Sequence, residues 1–290
     1  MNRYWALLFL FLSVSTAVIV YLITAEVLLL FMKRKNLITV NYAGRQVINS
    51  GGLMLLMPVL LASLPIFLLN PRPVEVIFIL MIPVLAFTGL IDDILGDTLS
   101  KGLTGHANVI LKNGFSTGIL KALSGGMIGL LLAWISYQSL LVMFLDVFIF
   151  ALSVNAINLL DLRPGRAIKG FGFLILIIAA VARFAELQFV LPVIIVLLLY
   201  IGGELEEVYM LGDTGASLLG GILGFYGLMV LNPTAKVILF TLLFSMHVLS
   251  EFVSLSELIE HTSWLKRLDM LGRVRKRSRI NAGNADGEGS

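Results

Sequence analysis

The chain has no cysteine. Disulfides, thiolate metal sites and cysteine nucleophiles are therefore excluded. Three histidines among 290 residues argue against a multi-histidine metal cage. Charge is scarce too: Asp, Glu, Lys and Arg make up 13%, against about 25% in soluble domains. Apolar residues make up 58%. These values point to an integral membrane protein, for which length does not count domains. The net charge of +3 is small, so where the charges fall matters more than their sum.

Nine apolar runs are separated by polar connections: residues 4–32, 51–69, 74–91, 118–135, 140–160, 170–184, 189–201, 217–231 and 235–253. The first exceeds both the ~20 residues a span needs and the roughly 7–15 residues of a signal-peptide core, so it reads as an uncleaved span. The connections alternate. Those at 70–73, 136–139, 183–188 and 232–234 are short and nearly uncharged. Those at 33–50, 92–117, 161–169, 202–213 and after 253, with Lys121, hold 17 of the 21 lysines and arginines. By the positive-inside rule this second set is cytoplasmic. The expectation is an all-α polytopic membrane protein of about nine transmembrane helices, N-terminus outside and C-terminus cytoplasmic.

Residues 1–254 form the transmembrane domain in this reading, and 255–290 a cytoplasmic tail. Leu255, Leu258, Ile259, Leu265, Leu268 and Leu271 fall near helical spacing, which predicts an amphipathic helix on the inner leaflet. The basic run from Arg273 to Arg279 would face anionic lipid rather than nucleic acid. The last ten residues lack the apolar content to fold.

The polar clusters all fall in the cytoplasmic set. In FTGLIDDILGD, residues 87–97, the adjacent Asp92 and Asp93 precede Asp97. Paired carboxylates at a membrane boundary repel, and a divalent cation relieves this; the alternative is a helix cap in water. In GDTGAS, residues 212–217, Asp213 reads as an N-cap, and Gly215, Ala216 and Ser217 leave backbone N–H groups open to a phosphate, with Gly212 and Gly215 as candidate binding residues. The alternative is a capped helix with small packing residues. Asn155, Asn158 and Asp161 share one helical face, as readers of a nucleotide or as an interhelical hydrogen-bond cluster. Arg163, Arg166 and Lys169 add positive charge for a phosphate-rich ligand or follow from the positive-inside rule. Lys121 can reach a diphosphate or snorkel to headgroups. His106 is a phosphate contact or an ordinary loop histidine. Asp146 lies inside the fifth run, toward the external side and away from these acids.

In order, GRQVINSGG (44–52), GLIDDILGD, KGLTGH (101–106), STGILKAL (116–123), NAINLLD and MLGDTGASLLGG resemble the motifs of the polyprenyl-phosphate N-acetylhexosamine-1-phosphate transferases (glycosyltransferase family 4). The resemblance covers residues 44–221. It implies an Mg²⁺-dependent enzyme of the bacterial inner membrane that moves a HexNAc-1-phosphate from a UDP-HexNAc to a polyprenyl phosphate such as undecaprenyl phosphate, releasing UMP. It makes Asp92, Asp93 and Asp213 the catalytic acids, with Asp93 and Asp213 on the metal, Asn158 and Asp161 near the nucleotide and Lys121 near the diphosphate. It also allows a homodimer. Two departures stand out. The family continues its asparagine motif as D-G-x-D-G, whereas Pro164 replaces the second acid here. The family's histidine-rich loop is reduced to His261, with no later apolar run. Both motivate a rival reading, a non-catalytic relative that binds polyprenyl phosphate. A membrane prenyltransferase is a weaker rival, since it leaves the asparagine and GDTGAS motifs unexplained.

Overall fold

The computed structural model describes residues 3–69, 71–96, 117–136 and 139–273. Each apolar run lies on a helix of its own: α1 (Arg3–Arg34), α2 (Leu53–Leu69), α3 (Pro73–Leu95), α4 (Thr117–Ile135), α5 (Leu140–Leu160), α6 (Arg166–Val181), α7 (Leu191–Leu205, after a short 3₁₀ turn), α8 (Gly212–Val230) and α9 (Pro233–Phe252). Seven of the spans, counting that turn with α7, are long and apolar enough to cross a membrane; α2 is apolar but shorter, and α6 has 16 residues. This is a multi-pass, almost wholly helical membrane protein.

Helix α8 is the centre. Of its apolar window 83% is buried, against 17% for α1 and for α9, whose outward apolar faces suit lipid. It packs most extensively on α5 and α3 and also meets α6, while α4, α2 and α9 touch it less. Its glycines allow this: a Cβ on Gly220 would stand 2.5 Å from Val154 Cα, and one on Gly89 of α3 would stand 2.2 Å from the Asp213 carbonyl oxygen. Small residues let membrane helices approach until their backbones touch. Farther along α3 and α8, the rings of Phe78 and Phe225 meet at a tilt, 4.6 Å between centroids, with Phe189 edge-on against both.

Two connections read as loops carry regular structure. Residues 33–50 contain an antiparallel hairpin, β1 (Ile38–Val40) and β2 (Gln46–Ile48), with Val40 opposite Gln46. The N–H groups of Gly51 and Gly52 then donate to the carbonyls of Met210 and Leu211, which fastens this hairpin to the start of α8. The tail is not one helix but two, α10 (Leu255–His261) and α11 (Ser263–Met270). Their polar side grips the α5–α6 turn: Asp269 takes a two-pronged ion pair from Arg166 and a further one from Arg273, and Glu260 pairs with Arg163. Arg273 therefore faces protein rather than lipid. Trp264, Leu268 and Leu271 remain exposed on the other side.

Candidate functional site

Asp92 and Asp93 stand in the last turn of α3 rather than in a loop. Carboxylates at a helix C-terminus oppose its dipole, so other partners must stabilise them. The pair divides the task. Asp93 accepts from the N–H groups of Asp213 and Thr214 (2.9 and 3.0 Å), from the Thr214 hydroxyl (2.6 Å) and from the Asn49 amide (3.2 Å). Asp161 accepts from the N–H of Gly212. Two carboxylates from elsewhere in the chain thus cap α8. The sequence assigned the capping role to Asp213; in the fold the donors of residues 212–214 face acids instead.

Asp213, relieved of capping, turns to Lys121 of α4, whose ammonium donates to it. The same ammonium stands 3.5 Å from Asp92, and the other Asp92 oxygen accepts from the Thr117 hydroxyl at 2.6 Å. These groups border a cavity of about 360 Å³ lined by Asp92, Lys121, Asn155, Asn158 and Asp213 together with small apolar residues of α4 and α5. That volume lies in the ~300–1,000 Å³ range of small-molecule sites. The side-chain oxygen of Asn158 is buried and has no hydrogen-bond partner among the described residues.

Of the residues singled out from sequence, five meet in this cavity, brought by α3, α4, α5 and α8. Asp161 does not join Asn155 and Asn158, because α5 ends at Leu160 and the backbone of Asp161 has left the helix (φ −79°, ψ 47°). Burial, then the negative charges of Glu204, Asp213 and Asp93, push its carboxyl well above the usual range, against the pull of the Gly212 N–H. Gly212 has φ +69°, and a Cβ there would meet the Asp93 carboxylate; Gly215 is buried against Gly52 and Leu211. Both glycines serve packing around the cap and neither lines the cavity. Arg163 and Arg166 pair with the tail, and Lys169 donates to the carbonyls of Leu268, Asp269 and Leu271. These cations hold the tail. Asp97 and His106 lie outside the described residues.

Sequence reasoning missed Thr117, Asn49 and Thr214, ordinary polar residues inside the quoted motifs, and Glu204, which is buried and accepts from the N–H of Gly165 at 2.8 Å. An acid so near the end of an apolar run was the available signal for Glu204.

For a divalent cation the test is the donor set. Among the described residues no three His, Asp or Glu side chains converge as a closed cage. Magnesium does not need one: it binds through one or two carboxylates, substrate phosphates and water. Asp92 and Asp213 are hard oxygen donors open to one cavity, and they fit. Asp93, which the resemblance makes a ligand, is engaged by the start of α8, and Asp92 is the member of the pair that lines the cavity. No known family model matches the chain, and no curated protein matches it.

Proposed function

We propose that the chain transfers a HexNAc-1-phosphate from a UDP-sugar to a polyprenyl phosphate at the cytoplasmic face of a bacterial inner membrane, releasing UMP. In this reading the helices make nine spans, with the N-terminus outside and the C-terminus inside. The observation that carries it is the convergence of Asp92, Lys121, Asn155, Asn158 and Asp213 from four helices on one cavity. They were chosen from motifs far apart in sequence.

An oxygen of the lipid phosphate attacks the β-phosphorus of the UDP-sugar. A new P–O–P bond forms, the bond to the α-phosphate oxygen breaks, and UMP leaves. Such chemistry is governed by charge neutralisation and alignment. Asp92 and Asp213 would hold Mg²⁺, which neutralises phosphate charge when bound. Lys121 supplies a second positive charge to the diphosphate. Asn155 and Asn158 present amides to the polar edges of the donor. Asp93 and Asp161 hold the start of α8, and with it Asp213, in place.

The test is UMP release by the purified protein with Mg²⁺, undecaprenyl phosphate and a panel of UDP-HexNAc donors. Release that requires both lipid and metal is the expected result, and it names the sugar. A second reading, a binding protein without turnover, is favoured by the engagement of Arg163, Arg166 and Lys169 with the tail. This leaves Lys121 as the cation on the cavity lining. Donor binding with no UMP from any sugar would establish it.

A further inference from the structure

The position of Lys121 carries a consequence for the order in which this site fills. Its ammonium is hydrogen-bonded to Asp213 and lies 3.5 Å from Asp92. Both carboxylates are open to the cavity, with side-chain exposures of 40% and 21%, and the lysine is 13% exposed. The ammonium therefore stands where a divalent cation held by these two acids has to go. The two cannot share the place: a lysine ammonium offers three donors and no acceptor, and like charges repel most where water is excluded. Thr117 fixes one oxygen of Asp92, so that acid does not swing away to meet a metal elsewhere. The lysine can move, because its four-carbon stem is flexible and its head already borders the cavity.

We propose that Lys121 is a counter-ion gate: it holds Asp92 and Asp213 until a diphosphate enters the cavity, and only its transfer to the phosphate oxygens opens the two carboxylates to the divalent cation. This rests on the reading of the cavity as a metal–diphosphate site and adds its regulation. A diphosphate draws the lysine off the acids and itself supplies oxygens to the metal, so each ligand strengthens the other. By linkage the coupling is reciprocal: the factor by which diphosphate tightens the metal equals the factor by which metal tightens diphosphate. The empty enzyme then resists stray cations, and metal arrives together with the group it must neutralise.

The experiment is a Mn²⁺ titration followed by electron paramagnetic resonance, using the full chain in phosphatidylcholine nanodiscs, with and without UDP and with a protein-free blank for the Mn²⁺–UDP complex. Wild type is expected to bind Mn²⁺ at least about tenfold more tightly with UDP present. Lys121→Met is expected to bind Mn²⁺ tightly without UDP and to lose most of the coupling. The reciprocal titration of UDP into wild type, with and without Mn²⁺, needs no variant and must return the same factor. Mn²⁺ binding to wild type that ignores UDP overturns the gate and leaves the metal site standing. Absence of Mn²⁺ binding to either protein under every condition overturns the metal site, and the gate with it.

Discussion

Among the described residues, two lysines pair with aspartates of other helices, and they differ in what surrounds them. Lys236 of α9 meets Asp146 of α5 at 2.9 Å, with side chains 3% and 1% exposed. Lys121 of α4 meets Asp213 of α8 and Asp92 of α3 beside a cavity. Along α5, Asp146 and the cavity residue Asn158 are separated by about 18 Å at 1.5 Å per residue. The first contact is sealed and has one acid for one base. The second is open and has two acids for one base, so it carries an unmet negative charge. A sealed, balanced pair can only hold helices together. An open, unbalanced one can exchange its partner.

The difference sets the predictions. Breaking the sealed pair should cost the most stability. Lys236→Met leaves Asp146 buried without its partner, a change of about 3–5 kcal/mol, read as a large fall in thermal unfolding temperature in detergent. Turnover per folded molecule should be unchanged, and adding Asp146→Leu should restore much of the stability. If Lys236→Met left stability intact, the contact would not be structural.

Asp213→Asn should do the reverse. Removing one preorganised electrostatic group, as measured for an oxyanion-hole donor, costs about 10²–10³-fold in rate, about 2.7–4 kcal/mol, and loss of a metal-holding carboxylate is expected on that scale. UMP release should fall by that factor while the unfolding temperature stays near wild type. Near-wild-type release would remove Asp213 from the site.

Asp93→Ala tests the division of labour within the acidic pair. It strips a four-donor cap from α8, worth about 1–3 kcal/mol, so stability should drop. Mn²⁺ affinity with UDP present should change less than in Asp92→Ala. The opposite ranking would return Asp93 to the metal.

The smallest effect concerns the tail. Burial alone would raise the carboxyl of Asp269, but its bonds to Arg166 and the charges of Arg166, Arg273 and Lys169 hold it below its usual value. A depressed folded value means the stabilisation is present above the unfolded value and is lost as pH falls through the folded one. Proteolysis within residues 255–273 should thus be resisted at neutral pH and should quicken only below the ordinary aspartate range. Asp269→Asn should make it fast at neutral pH.

The helices were legible because a span is a local property: a run of ~20 apolar residues decides it. The hairpin at 38–48 was not, since three-residue strands carry no pattern and this one is held by α8 and by Glu207, which accepts from Asn41 and Arg45. The tail's amphipathic spacing was visible, but its attachment through Asp269 was not, because the partners lie about a hundred positions away. Five cavity residues were legible as polar groups at the ends of apolar runs. Their roles were less so: adjacent in sequence, Asp92 and Asp93 look alike.

The sequence by itself determined a multi-pass helical membrane protein with its acids and amides gathered at a few helix ends, because hydropathy and charge act residue by residue along the chain. Only the tertiary structure decided which acid faces what. Helix α3 meets α8 backbone to backbone at Gly89, and that contact delivers Asp93 to the N–H groups of Asp213 and Thr214. It leaves Asp92 beside Lys121 on the cavity. One residue along a helix is a turn of about 100°, enough to make one aspartate part of the scaffold and its neighbour part of the site.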